Sequence, residues 1–209
     1  PVSCTTVSPE SQLLGRDSFM PRLFIALEIP ADVASELTLH RGGLSGARWI
    51  EPADYHITLR FLGDVDRRMA NDVDHMLSDL TAYPFEITLD ALGSFGGDKP
   101  RAVFARAQPS KALTDLQGDL ERQMRRLGLP AEARKFVPHV TLARLRDTTP
   151  VELAHFLSLH PIVRPFTFTA RRVALMSSRD SIGGGPYVLE AACPLGPAYP
   201  NRLSREMRR

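Results

Sequence analysis

His56-Ile57-Thr58-Leu59 and His139-Val140-Thr141-Leu142 are one tetrapeptide type met twice, and the fold is read outward from them. Each lies in a run rich in aliphatic and β-branched residues, YHITLRFL over 55–62 and VPHVTLARL over 137–145, which predicts two strands. Before the first comes a buried strand at 22–29 (RLFIALEI). A short helix over 31–40 follows, opened by Pro30 and ended by Gly42-Gly43. After it, Asp66 is placed to N-cap a helix whose Met69, Val73, Met76, Leu77 and Leu80 share one face. A strand at 85–92 closes this half.

The order then returns. A strand at 101–107 leads into a helix over 110–127 with a core-facing stripe of Leu113, Leu116, Leu120, Met124 and Leu127, stopped by Gly128 and Pro130. Past the second tetrapeptide, Thr149, Pro150 and Glu152 form a capping-box start for a helix over 150–158. Strands near 166–175 and 187–192 finish the chain, separated by the turn Gly183-Gly184-Gly185-Pro186. The pattern predicts a duplicated α/β unit with a pseudo-twofold axis. Two sheets would face each other across a cleft lined by both tetrapeptides.

On a strand, residues i and i+2 share a face. His56 and Thr58 then face one way, with Ile57, Leu59 and Phe61 the other; His139 and Thr141 repeat this against Val140 and Leu142. Two such faces opposed gather two imidazoles and two hydroxyls around one point. That set suits phosphodiester chemistry without a metal. One imidazole takes a proton from attacking water, the other gives one to the departing alkoxide, and the threonines donate to the non-bridging oxygens. A single His-x-Thr-Leu is a weak signal; two at equivalent places in a repeated pattern are specific.

The whole chain has 209 residues, 43% hydrophobic and 24% charged, which suits one mid-sized globular domain and excludes wholesale disorder, collagen and coiled coil. No apolar run reaches the roughly 18 residues of a membrane helix. The formal charge of +2 sits at the ends: residues 1–19 carry a net −1 and residues 201–209 a net +3, leaving the body neutral. A neutral body lacks the global field of a protein that grips long nucleic acid, so nucleic-acid chemistry here is expected to be local. Cys4 and Cys193 form no metal spacing and no disulfide framework, and no apolar leader opens the chain. A reduced, cytoplasmic setting is expected. Residues 1–19 read as a flexible N-terminal extension, 20–198 as the domain, and 199–209 as a basic tail.

Four segments carry a resemblance: RLFIAL at 22–27, Trp49 followed by HITLRFLG at 56–63, FVPHVTLAR at 136–144, and GGGPYVLEA at 183–191. In this order they resemble the 2H phosphoesterases, and within them the bacterial and archaeal RNA 2′,3′-cyclic phosphodiesterases, also known as 2′-5′ RNA ligases. The resemblance implies a bilobal, antiparallel-rich α/β fold with helices outside. It also implies hydrolysis of an RNA-terminal or nucleoside 2′,3′-cyclic phosphate to the 2′-phosphate. By position, His56 corresponds to the general acid for the 3′ oxygen and His139 to the base for water. Thr58 and Thr141 correspond to the phosphate ligands, and Arg144 to a further phosphate-site residue. No metal or cofactor and no membrane partner is implied, and a monomer is expected. The alternatives are a reversible 2′-5′ RNA ligase, in which the histidines exchange roles, and a non-catalytic module that binds RNA ends or nucleotides.

Further residues are candidates with plainer readings beside them. Strict alternation puts Arg144 opposite His139, so its reach into a cleft requires a bulge. Arg60 shares the parity of His56, so it either adds charge to the cleft or lies solvated at the strand end. Phe61 and Trp49 offer faces for a base; strand aromatics are more often core, and Phe61 has the wrong parity unless its strand bends. Tyr187 either borders the cleft or packs. Arg134 and Lys135 either meet an RNA phosphate or lie in a solvated loop. His40, His75, His155 and His160 read as surface residues with no metal spacing.

Overall fold

The computed structural model describes residues 22–178 and 185–196, with the backbone of Thr5–Thr6. The extension and the basic tail therefore lie outside the described residues but for that pair, as do Gly183 and Gly184. The elements run β1 (Thr5–Thr6), β2 (Arg22–Glu28), α1 (Ala31–Thr38), β3 (Ala47–Trp49), β4 (His56–Asp64), α2 (Arg67–Ser78) and β5 (Phe85–Phe95). Then come β6 (Ala102–Ala107), α3 (Lys111–Arg126), β7 (His139–Leu145), α4 (Pro150–Leu159), β8 (Phe166–Ala170), β9 (Arg172–Ser178) and β10 (Val188–Pro194). Local chemistry sets the helix starts. Asp66 accepts from the Met69 amide at 2.8 Å, Ser110 from the Leu113 amide at 3.2 Å, and Thr149 and Glu152 complete the expected capping box.

The α/β fold class holds, with two departures in how the strands are joined. The strands form one hydrogen-bonded path, β1-β10-β9-β2-β4-β7-β6-β5-β8, not two separate sheets. Its two parts meet at a single pair between the motif strands, Ile57↔Val140, beyond which β3 fills the gap alongside β7. The second departure concerns the halves. Strand β5 does not close its own half but pairs with β6 and β8, while β9, from the second half, pairs with β2 and β10. The expected strand at 166–175 is broken at Arg171 into β8 and β9, which serve different parts of the path.

Helices α1, α2 and α3 cover one face of the sheet. Leu113, Leu116, Leu120 and Met124 of α3 are buried there with Ile57, Leu59, Val140 and Leu142. Helix α4 seals the β3 end, where Phe156 and Leu153 pack with Ala143 and Val103. Trp49 belongs to this core, 5.9 Å from the Phe156 ring. Cys193 is 3% exposed and disulfide-bonded, against the expectation of no disulfide; Cys4 lies outside the described residues. The reduced setting loses the support it drew from separate thiols. His75 and His155 are exposed as expected, but His40 and His160 are half-buried, and the His160 ring stacks on Phe156 at 4.2 Å.

Candidate active site

The two motif strands share one irregularity, and it builds the site. Ile25 pairs with Arg60 and Ala26 with Thr58, so Leu59 is an extra residue in β4. Val103 pairs with Ala143 and Phe104 with Thr141, so Leu142 is an extra residue in β7. Each bulge falls on the leucine of its His-x-Thr-Leu. It turns two successive side chains toward the helices and reverses the alternation beyond. From the histidine onward both strands run half-buried, buried, half-buried, buried, buried, exposed. Arg144 thereby comes round to the face of His139 and Thr141.

Phe61 comes round in the same way, to the face of His56 and Thr58. Arg60 goes the other way, which corrects the parity reading. It is 6% exposed and buried behind the sheet, where its Nε lies 2.7 Å from Glu121 and its Nη1 3.8 Å from Glu132. It also donates to the carbonyls of Phe61 and Pro130. Arg60 therefore does not reach the cleft.

A cavity of about 220 Å³ opens on the face away from the helices. His56, Thr58, His139, Thr141, Arg144, Phe61 and Tyr187 all line it, and so do Arg22, Phe24, Ile50, Asp54 and Ser178. No motif spacing pointed to the last five. The only signal for Asp54 was its place two residues before His56, which Val137 repeats before His139.

Those two positions orient the imidazoles. His56 Nδ1 lies 2.7 Å from the Asp54 carbonyl oxygen, and His139 Nδ1 lies 2.6 Å from that of Val137. A carbonyl only accepts, so each Nδ1 carries the hydrogen and donates it. Each Nε2 is left for the cavity. Aromatic walls close around both rings. Phe24 and Tyr187 stand 4.9 and 5.0 Å from His56; Phe95 and Phe104 stand 4.8 and 5.2 Å from His139. Burial pushes His56 from the ordinary 6.5 down to about 4, against its bond to the Asp54 carbonyl, with the His139 and Arg144 charges adding to the fall. Burial also lowers His139, with Arg144 again contributing. Burial raises the Tyr187 phenol, opposed by Arg144. Both imidazoles are neutral near pH 7 in the free protein, in a cleft also lined by the Arg22 and Arg144 guanidiniums and by Asp54.

The Asp54 side chain has a second task. Its Oδ1 accepts from the Tyr187 amide at 2.9 Å. Gly185 passes so close that a Cβ there would lie 2.1 Å from Asp54 Oδ2, and its φ of +85° is a glycine conformation. Asp54 thus ties the segment before β10 to the motif strand and sets Tyr187 against His56. Among the described residues, no group of three or more His, Cys, Asp or Glu side chains is placed to hold a metal ion.

The profile of the 2′-5′ RNA ligase superfamily matches residues 40–181. The protein belongs to that superfamily. The resemblance to the 2H phosphoesterases read from the motifs is therefore shown. Among superfamily relatives, an RNA 2′,3′-cyclic phosphodiesterase of Aquifex aeolicus is 30% identical over 154 residues, 71% of this chain and 82% of that protein. Another of Archaeoglobus fulgidus is 29% identical over 133 residues, 62% and 75% of the two chains. A third of Bacillus subtilis is 31% identical over 130 residues, 59% and 71%. In fold, E. coli LigT complexed with 3′-AMP superposes with a TM-score of 0.70 at 24% identity, over 84% of this chain and 98% of that one. TT0787 of Thermus thermophilus superposes equally well, covering 83% and 97%. Among the described residues of this superfamily member, no helix is long and apolar enough to cross a membrane.

Proposed function

We propose that this chain hydrolyses the 2′,3′-cyclic phosphate of an RNA end or nucleoside to the 2′-phosphate, by acid/base catalysis between His56 and His139 without a metal. The observation that carries it is the paired setting of the imidazoles. Each is tied through Nδ1 to a carbonyl two residues back, and each lines the same cavity as two threonines and Arg144. The activity for which these relatives are named supports the same reading.

His139 Nε2 takes a proton from a water whose oxygen bonds to phosphorus. The bond from phosphorus to the 3′ oxygen breaks, and that oxygen takes the proton carried on His56 Nε2. Thr58 and Thr141 donate to the non-bridging oxygens, and Arg144 offsets the charge that builds on them. An anionic substrate changes the electrostatics of His56. A negative charge in the cleft favours the imidazolium that burial and Arg144 disfavour, so the acid is charged by the molecule it acts on. Phe61, exposed on the cleft wall, offers a face to the base, and Tyr187 borders the ribose side.

The test is turnover of adenosine 2′,3′-cyclic phosphate with EDTA present, the product identified by phosphorus NMR. The expected product is the 2′-phosphate at an undiminished rate. Absence of turnover overturns the activity, loss with chelator overturns the metal-free step, and a 3′-phosphate product overturns the assignment of the leaving oxygen.

A further inference from the structure

Phe61 is 42% exposed on the cleft wall, yet one face of its ring is covered. The Arg134 guanidinium carbon lies over it, 5.5 Å from the ring centre. An exposed arginine ordinarily extends into water. This one is held from below. Glu132 grips it with both oxygens, at 3.2 Å from Nε and 3.4 Å from Nη2. Glu132 is itself fixed: its amide donates to Glu121 at 3.2 Å, and its carboxylate faces buried Arg60 at 3.8 Å. Arg60 completes the chain by binding Glu121 and the Pro130 carbonyl. A charge cluster behind the sheet thus aims a guanidinium over an aromatic ring in front of it.

We propose that Arg134 is a base-holding residue, with Glu132 and Arg60 as its positioning residues. Resting on the reading of the cleft as a nucleotide site, the proposal is that Arg134 and Phe61 form the two walls of a slot for the nucleobase. A flat, delocalised guanidinium stacks on a base as it stacks on phenylalanine. Rising from the Phe61 ring to admit a base exchanges one stacking partner for another, while Glu132 keeps its orientation. The contact depends on the base and not on the phosphate.

The test compares two ligands by calorimetry, adenosine 2′-phosphate and methyl riboside 2-phosphate, which lacks a base. Wild-type protein is expected to prefer the first. In Arg134→Ala the preference ratio should fall about fivefold to tenfold, the size of one stacked cation. Arg134→Lys should behave like Ala, since an ammonium keeps the charge and loses the plane. Glu132→Gln should lower the ratio by less. A ratio independent of unfolded protein separates this from a loss of stability. Equal weakening of both ligands assigns Arg134 to the phosphate and overturns the proposal, as does an unchanged ratio, a Lys variant like wild type, or a wild type with no preference. Failure to turn over the cyclic phosphate while the ratio still responds overturns the phosphodiesterase reading alone.

Discussion

Phe61 and Arg144 occupy the same place on the two motif strands, three residues past the threonine and one turn of alternation past a bulged leucine. The duplication therefore gives the two sides of the cleft unlike chemistry at one equivalent position. One side brings a π face and the other a fixed positive charge. On the function proposed above, a nucleotide's base and phosphate match this pair in one orientation.

Arg144 is expected to act on both rate and pH. Replacing it with Gln should lower kcat by about 10²-fold, the usual cost of losing one group that stabilises transition-state charge. Its charge depresses both histidines, so the variant's kcat/KM profile should move to higher pH. A rate loss with no shift in profile sets Arg144 apart from the imidazoles.

The free protein's histidines lie below 6.5, so the kcat/KM bell should centre on the acid side of that value. The kcat bell should lie at higher pH, because the bound anion favours the imidazolium. His56→Ala and His139→Ala should each cost at least about 10²-fold. A flat profile through the histidine range refutes the acid/base pair.

Stability should carry the same signature. His56 binds its proton more weakly folded than unfolded, so the unfolded chain gains protons first as pH falls. Stability should be intact above pH 6.5 and fall progressively towards pH 4, by an amount of the order of 3 kcal/mol for this group. In urea titrations at pH 7 and pH 5, His56→Ala should show a smaller drop than wild type. An equal drop means His56 is not the group responsible.

Gly185→Ala forces a Cβ against Asp54 and strains a positive φ. The expected cost is about 1–3 kcal/mol, with a fall in kcat as Tyr187 leaves His56. Asp54→Ala removes the clash and also the tie to the Tyr187 amide, so adding it should restore stability more than rate. Full recovery of rate would show that Tyr187 needs no tether.

Arg60→Met leaves Glu121 and Glu132 facing each other behind the sheet and should cost about 3–5 kcal/mol, the range for a broken buried ion pair. Neutralising both carboxylates as well, Glu121→Gln with Glu132→Gln, should recover most of it in urea titration. If the single variant is as stable as wild type, the cluster is not held by its charges.

The motifs made the site legible because His-x-Thr-Leu states its chemistry locally and states it twice. The bulges were half legible. Leu142-Ala143 sets two apolar residues side by side, which is how a bulge looks in sequence, and Arg144 demanded one. In the first motif the second helix-facing residue is Arg60, whose charge hid the pattern until its carboxylate partners from α3 and the following loop were in place. The pairing of β5 with β6, and of β9 with β2, was not legible at all. Periodicity reports which face of a strand is buried and says nothing about its neighbour.

That pairing has a consequence for how the molecule can be divided. Each half sends a strand into the sheet of the other: the first sends its last strand, β5, to β6, and the second sends β9, with β10 paired behind it, to β2. The chain has the layout of a strand-swapped dimer fused into one polypeptide. Cut between Phe95 and Ala102, neither fragment holds a complete sheet, and each keeps a strand that only the other can seat. The cleft belongs to the embrace and to neither half alone.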